Sequence, residues 1–318
     1  MTDATPMRAA PEISVVICTH NRASYLRIAL ASLVTQDVPH QLFEVLVVDN
    51  RSTDETPAVV DEFVGKLPIR RIAEPTLGLC YARNTGFRAA AGEYIAYFDD
   101  DAVADAGWLM AVRDAFANVD NLGVVGGPVY PIWEAPRPAW LSDIAARALT
   151  VIDWPNGAHE IPDVRVEWLA GANMALPKRV LEEIGGFHPG LDRVGHNMLS
   201  SGDVYLERQV RDHGYRVWYE PRMSIGHAVT ASRLTKDWFR RRYYWQGISD
   251  TVIHLIDHDP TPLARLGDAL TRARKLATSP QQLRALTALP DDPEAFTEMC
   301  MAWISAGQIA GLLGKARR

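Results

Sequence analysis

Three consecutive carboxylates, Asp99-Asp100-Asp101, directly follow the apolar run Tyr94-Ile95-Ala96-Tyr97-Phe98. Adjacent carboxylates repel one another and cannot all be buried without a counter-charge. A divalent cation removes that conflict, and hard oxygen ligands suit Mg²⁺ or Mn²⁺. If the backbone stays extended past Phe98, Asp99 and Asp101 share one face and Asp100 points to the other. Taken alone, the triplet reads equally well as a solvated acidic loop. Two further polar clusters argue for chemistry: Thr19-His20-Asn21-Arg22 and Asp49-Asn50-Arg51-Ser52-Thr53-Asp54 each end a β-branched or apolar run.

The elements that must carry these clusters follow from the pattern around them. Ile13 to Cys18 and Phe43 to Val48 are short, largely β-branched runs and predict buried strands, as Tyr94 to Phe98 does. Between them, Ser24 is placed to cap a helix to Val34 with Leu26, Leu30 and Leu33 on one face, and a second helix is expected over Thr56 to Val64. Strand–helix–strand alternation predicts an α/β fold, a mostly parallel sheet flanked by helices. Ligands bind such sheets outside the carboxyl ends of the strands, where all three polar clusters fall. A dinucleotide-binding version needs Gly-x-Gly-x-x-Gly after the first strand, and this turn, Cys18-Thr19-His20-Asn21-Arg22-Ala23, has no glycine. No Walker-type Gly-Lys-Ser/Thr loop occurs either, so a nucleotide would be held by side chains and a metal.

Composition narrows the class. A net charge of -6 argues against a nucleic-acid binder, so no nucleic-acid partner is expected. Cys18, Cys80 and Cys300 are far apart and odd in number. They form no disulfide framework and no zinc pattern, which predicts a reducing, cytoplasmic setting. Neither a signal peptide nor a membrane-spanning run is evident.

Taken in order, Val15 to Arg22, Val47 to Asp54, Gly78-Leu79-Cys80-Tyr81-Ala82-Arg83-Asn84-Thr85-Gly86 and Tyr97 to Asp101 resemble the motifs of family 2 glycosyltransferases. The resemblance runs from about Ile13 to His227. It implies a GT-A (Rossmann-like) fold and a hexosyltransferase-type enzyme dependent on Mg²⁺ or Mn²⁺. It further implies transfer with inversion from a nucleotide-sugar donor to a hydroxyl of a glycan, lipid-linked or small-molecule acceptor. On this resemblance Thr19, Asn21, Arg22, Asp49, Asn50, Arg83, Asp99 and Asp100 meet the donor, and Asp99, Asp101 and His227 hold the metal. Asp49 would accept a hydrogen bond from a base ring N–H, which favours a UDP-sugar and admits dTDP- and GDP-sugars. Trp168, Gly171, Ala172 and Asn173 match the acceptor-side loop, where Gly171 would let backbone approach substrate. Asp203 matches the family's general base, whose alternative role is a helix cap. Gly202 departs from the pattern, because the family usually places Glu there.

Other readings stay in view. Gly202 is the one feature favouring a non-catalytic nucleotide-sugar binder or scaffold. A nucleotidyltransferase would carry a Gly-rich, Arg/Lys-bearing loop after the first strand, and this chain does not. Trp133, Trp140 and Trp154 suit either a sugar platform or the core. Asp54 suits either a ligand contact or a helix cap.

The expected organisation is a loose tail over residues 1–11, a catalytic domain over 12–228 and a helical C-terminal appendage over 229–318. The appendage should contain a long helix from Thr235 to Ile256 and a last helix from Phe296 to Lys315. Arg240, Arg241 and Arg242 on the long helix suit a diphosphate, an anionic carrier lipid or a solvated face. The apolar last helix, with Lys315, Arg317 and Arg318 at its end, suits packing, a homodimer or peripheral contact with the inner membrane face.

Overall fold

In the computed structural model, which describes residues 10–195 and 197–314, the β-branched run forms strand β1, Ile13–Thr19, with nearly every side chain buried. It lies between β2 (Phe43–Asp49) and β4 (Tyr94–Phe98), with β3 (Ile69–Ala73) on the far side of β2, all parallel. Strand β3 was not legible as a strand: Ile69-Arg70-Arg71-Ile72-Ala73 is a half-exposed edge without an apolar run. Helices α1 (Ala23–Val34), α2 (Thr56–Asp61) and α3 (Leu79–Ala89) complete this half, and α1 buries Leu26, Ala29, Leu30 and Leu33.

Two local expectations need correcting. Ser24 does not cap α1; Asp54 does that work from the next loop. Its Oδ2 accepts the Ala23 N–H at 3.0 Å while its Oδ1 accepts the Thr56 N–H at 3.1 Å, so one carboxylate serves the starts of both α1 and α2. Helix α2 ends at Asp61 rather than Val64, and the chain turns through Gly65 at φ +84°.

The second half holds β5 (Ala102–Ala104), α4 (Trp108–Asn118), β6 (Leu122–Gly126), β7 (Val129–Trp133), α5 (Asp143–Ala146), β8 (His159–Glu160) and β9 (Asn173–Pro177). Then come α6 (Lys178–Ile184), α7 (Gly202–Asp212), β10 (Arg216–Tyr219) and β11 (Ile225–Val229). The main sheet has eight strands in the order β3-β2-β1-β4-β9-β6-β10-β8, and β9 runs antiparallel between β4 and β6. A second sheet, β5-β11-β7, stands beside the carboxyl end of β4. Asn173 ties the two sheets: it accepts from Trp108 Nε1 at 2.8 Å and donates to the carbonyls of Pro128 and Met223 at 3.1 and 2.7 Å.

The C-terminal region is helical: α8 (Lys236–His258), α9 (Pro262–Ala277), α10 (Pro280–Thr287) and α11 (Pro293–Leu312). Thr235 caps α8, accepting the Trp238 N–H at 3.2 Å, and Asp292 caps α11. Phe239, Tyr243, Phe296, Met299 and Cys300 form a second core together with Leu141, Ala145 and Leu149. Burying each of Phe239 and Phe296 contributes about 1.5–3 kcal/mol. Trp140 belongs to this core, its ring 4.5 Å from Phe296 and 5.6 Å from Phe239. Helices α8 and α11 meet backbone to backbone. A Cβ on Gly247 would lie 2.0 Å from the Ile304 carbonyl oxygen, and one on Gly307 1.9 Å from that of Tyr244. Among the described residues no helix is long and apolar enough to cross a membrane. The basic end Lys315, Arg317 and Arg318 lies outside the described residues, as does most of the expected N-terminal tail.

Candidate active site

The extended backbone does not persist past Phe98. The chain turns there, with the Ala102 N–H donating to the Asp99 carbonyl at 3.2 Å. The turn still brings Asp99 and Asp101 to one place, opposite His227 on β11. One ligand atom from each of Asp99, Asp101 and His227 lies within 4.8 Å of the others. Arg22 Nη2 stands 2.9 Å from Asp101 Oδ2, and His227 Nε2 stands 3.1 Å from Asp101 Oδ1. Neither contact has hydrogen-bond geometry, so both oxygens of this buried carboxylate, and His227 Nδ1, have no hydrogen-bond partner among the described residues. A buried carboxylate whose oxygens accept no hydrogen bond is costly unless something else meets them. Two carboxylates suit Mn²⁺ or Mg²⁺, and the imidazole beside them suits Mn²⁺ better than the oxygen-seeking Mg²⁺. Burial opposes ionisation of Asp101, but His227 and Arg22 hold its carboxyl below the usual range.

Asp100 faces away from this corner. It accepts from Thr19 Oγ1 at 2.7 Å and from Arg22 Nη1 at 2.9 Å, which anchors the acidic turn to the end of β1. Burial, with the neighbouring Asp101 charge, raises its pKa against the pull of Arg22. Thr19 and Asp100, both expected at the donor, are therefore engaged with each other.

Asp49 sits beside Thr19 in register at the end of β2, paired with Arg71 Nη1 at 2.9 Å and accepting the Ser52 N–H at 2.8 Å. Asn50 accepts from the Gly78 N–H at 2.8 Å and donates to the Glu74 and Thr76 carbonyls, so it folds the segment leading into α3. Gly78 there has φ +146°, a conformation open to glycine. Asn21, at φ +53°, accepts the Thr53 N–H at 2.7 Å. Thr19, Asn21, Asp49, Asn50 and Asp100 gather at the carboxyl ends of β1, β2 and β4 but do not line the main cavity.

That cavity, about 740 Å³, is lined by Arg22, Arg83, Asp99, Asp101 and His227 at one end and by Trp168, Gly171, Ala172 and Asp203 further along. Arg83 joins the two ends. Its Nη2 is 3.6 Å from Asp99 Oδ1, its Nη1 3.2 Å from Asp192 Oδ2, and its guanidinium lies over the Phe187 ring at 4.9 Å. Gly171 has a different reason for being glycine than expected. A Cβ there would come within 2.5 Å of the Arg83 guanidinium, so the missing side chain makes room for Arg83 rather than for substrate. Asn173 does not reach the cavity at all; it is fully buried in the tie between the sheets. Of the tryptophans, Trp168 lines the cavity and Trp154 is buried behind it, donating from Nε1 to the Trp168 carbonyl at 2.8 Å. Trp133 and Trp140 serve the second core.

Asp203 lies in the first turn of α7, where the helix dipole favours an anion. Its Oδ2 accepts the Gly171 N–H at 3.1 Å and its Oδ1 the Val204 N–H at 2.9 Å. Burial and the charge of Asp192 push its pKa up; Arg83 and the two backbone donors pull against them. The residue before the helix, Ser201, holds a left-handed φ of +73°, a strained conformation for a residue with a side chain.

Several cavity residues were not singled out as site residues in the sequence. Asp192 comes from the irregular stretch between Gly190 and Gly195, which has no periodicity to flag it. Arg193, Arg233, Gln246 and Asp250 also line the cavity, as does Arg242, one of the three arginines for which a diphosphate, an anionic carrier lipid or a solvated face was expected; Arg242, Gln246 and Asp250 lie one turn apart along α8. The C-terminal helices thus form a wall of the site.

Comparison with known proteins gives the family and the fold. The family model described as glycosyl transferase family 2 matches residues 14–184. The chain is 26% identical over 250 residues to the glucosyl-dolichyl phosphate glucuronosyltransferase of Haloferax volcanii, covering 77% of this chain and 78% of that one. It is 30% identical over 228 residues to the validoxylamine A glucosyltransferase of Streptomyces hygroscopicus subsp. jinggangensis, covering 64% and 52%. A mannosyltransferase of Pyrobaculum calidifontis, solved in complex with GDP-Man and Mn²⁺, superposes with a TM-score of 0.63 at 22% identity, covering 96% of this chain and 88% of that one. That likeness is one of fold.

Proposed function

Because the chain belongs to glycosyl transferase family 2 and is a glycosyltransferase of GT-A fold, we propose that it moves a sugar from a nucleotide-sugar donor to an acceptor hydroxyl with inversion, Asp203 acting as general base. The observation carrying this reading is that Asp203 and the Asp99, Asp101 and His227 cluster open into one cavity, joined by Arg83. A base and a leaving-group site must face a single sugar from opposite ends for direct displacement.

The residues divide the work. Asp99, Asp101 and His227 would hold Mg²⁺ or Mn²⁺, which when bound offsets the charge growing on the leaving diphosphate. Arg22 braces the acidic turn, and Arg83 fixes the spacing between Asp99 and the Asp203 corner. Asp49 at the end of β2 is the candidate acceptor for a base ring N–H, for which UDP is favoured over dTDP and GDP. Gly171 and Val204 N–H groups aim the Asp203 carboxylate, whose raised pKa matches a base that must take and release a proton. The acceptor is a glycan, a lipid-linked sugar or a small molecule, approaching past Trp168 and Ala172.

Gly202, the feature that favoured a non-catalytic binder, loses that weight. A carboxylate from another segment, Asp192, occupies the space beside it and pairs with Arg83. Calorimetric titration of UDP, dTDP and GDP, each with and without Mn²⁺, tests the reading. Metal-dependent binding of one nucleotide, abolished by Asp101→Ala, is the expected result. Folded protein that binds none of them overturns it.

A further inference from the structure

Arg22 and Arg83 in the cavity are ion-paired to carboxylates. Arg193, Arg233 and Arg242 are not: among the described residues none of the three has an ion pair, and the Arg242 guanidinium makes one hydrogen bond, to Gln246 Oε1 at 3.0 Å. Burial lowers the pKa of both Arg233 and Arg242, and the Arg193 charge adds to it. Three guanidinium groups without an ion-pair partner in one cavity call for an anion.

A donor diphosphate accounts for only part of this. Arg233 closely follows β11, which carries His227 of the acidic corner where the diphosphate would lie. Arg242 lies one turn before Gln246 on α8, and Arg193 adjoins Asp192, which accepts the Gly202 N–H beside the candidate base. What lies against the base is the acceptor. The helix bearing Arg242 also holds the loop in front of Asp203: Gln246 Nε2 donates to Ser201 Oγ at 2.9 Å, and Ser249 Oγ accepts the Ser200 N–H at 3.1 Å. On the same wall the lining turns apolar, with Ile253, Ile304, the 42% exposed Met301 and the 52% exposed Ile144.

We propose that Arg242 and Arg193 form a second anion site, separate from the acidic corner, and that the acceptor brings a phosphate group to it. The site rests on the glycosyltransferase reading and specifies its acceptor. A phosphate presents enough charge and enough acceptor oxygens for two planar guanidinium forks, which a hydroxyl-only sugar does not. The apolar lip beside Arg242 accommodates an apolar chain on that phosphate, so a lipid-borne phosphate and a water-soluble phosphate ester are the two sources of the same chemistry.

Calorimetry on the full chain separates them. The protein, both free and saturated with Mn²⁺ and the nucleoside diphosphate that it binds, is titrated with octyl phosphate, glycerol 3-phosphate and uncharged octyl glucoside. The expected result is that octyl phosphate binds the saturated protein and octyl glucoside does not. Arg242→Gln and Arg193→Gln should each weaken octyl phosphate about tenfold to a hundredfold, leaving nucleotide affinity unchanged. Equal binding of glycerol 3-phosphate assigns the site to a soluble phosphate ester; preference for octyl phosphate assigns it to a lipid-borne one. The proposal is overturned if no phosphate probe binds the free or the saturated protein, or if both variants lose nucleotide rather than probe. Failure of the wild-type chain to bind any nucleotide counts against the donor reading instead, and the probe titration of free protein still decides the anion site. Arg193 is exposed, so its variant keeps the test clear of folding defects.

Discussion

The carboxylate of Asp192 stands where a side chain on residue 202 would be. Its Oδ1 accepts the Gly202 N–H at 3.0 Å, and a Cβ on Gly202 would fall 2.4 Å from its Oδ2. The two positions are therefore alternatives: a side chain at 202 and a carboxylate at 192 cannot share the space. Asp192 delivers its charge to Arg83 from the neighbouring loop, ten residues before a helix that carries none at that point.

Restoring the family's usual residue should for this reason fail. Gly202→Glu overpacks the site and should destabilise the protein by about 1–3 kcal/mol, with loss of turnover. Adding Asp192→Gly should recover a large part of both. Thermal melts and initial rates on the single and double variants check this; additive losses in the double variant would refute the shared-space account.

Asp203→Asn keeps the size of the side chain and removes the base. Turnover should fall by about 10²–10⁴ while nucleotide affinity in Mn²⁺ stays within experimental error. The wild-type pH profile carries a second signature. Burial raises the Asp203 pKa, so the basic form is lost as pH falls at values above the ordinary carboxylate range of about 3.9. The rate should accordingly drop on an acid limb displaced toward neutrality. An acid limb at an unshifted value would assign the base elsewhere.

Gly171→Ala tests the close approach of Arg83. The guanidinium is held by Asp99, Asp192 and the Phe187 ring and has little freedom to retreat. The added methyl should therefore displace the Gly171 N–H from Asp203, lowering turnover more than nucleotide affinity. Equal activity with alanine would mean that Arg83 yields freely.

Glu207 offers a test on stability alone. It is fully buried one turn after Asp203, both its oxygens share the Leu169 N–H, and burial raises its pKa well above the usual value. A carboxyl with a raised folded pKa holds its proton more tightly in the folded chain, so its contribution declines as pH rises above the unfolded value of about 4.3. Glu207→Gln removes that decline. The variant should melt higher than wild type at neutral pH, with the difference shrinking as pH falls toward 4. A variant less stable at every pH would show that the ionised form is the one the fold needs.

Much of the donor half was legible because it is written locally. The runs before Thr19, Asp49 and Asp99 are continuous and apolar, and each stops at a polar cluster, so position along the strand fixes position in the sheet. Asp99 and Asp101 do lie together, but the face-alternation argument does not apply to them; a turn brings them to one place. The Asp203 end of the cavity resisted reading because its key contacts join distant segments. Asp192 gains meaning from Arg83, 109 residues earlier, and from Gly202. Arg242 sits on a helix whose pattern is equally that of a solvated face, and only the fold turns it inward. Asn173 was assigned to the acceptor loop, whereas the antiparallel strand it begins could not be foreseen from its five residues and turns it into the tie between sheets.

The seam between α8 and α11 bears on how such a site diversifies. Gly247 and Gly307 fix how closely the two helix backbones approach, and they do so on a strip adjacent to the one that carries Arg242, Gln246 and Asp250. Asp250 also takes part in the seam, accepting from Gln308 Nε2 on α11, and Gln246 holds Ser201, so Arg242 is the one of the three whose exchange leaves both contacts alone. On the proposed reading, the wall facing the acceptor can change its charge at Arg242 while the acidic corner stays tied to the end of β1 by Thr19 and Arg22. Acceptor choice at that position and donor handling at the corner would then be mutationally separable, with the glycines of the seam keeping the helix in place.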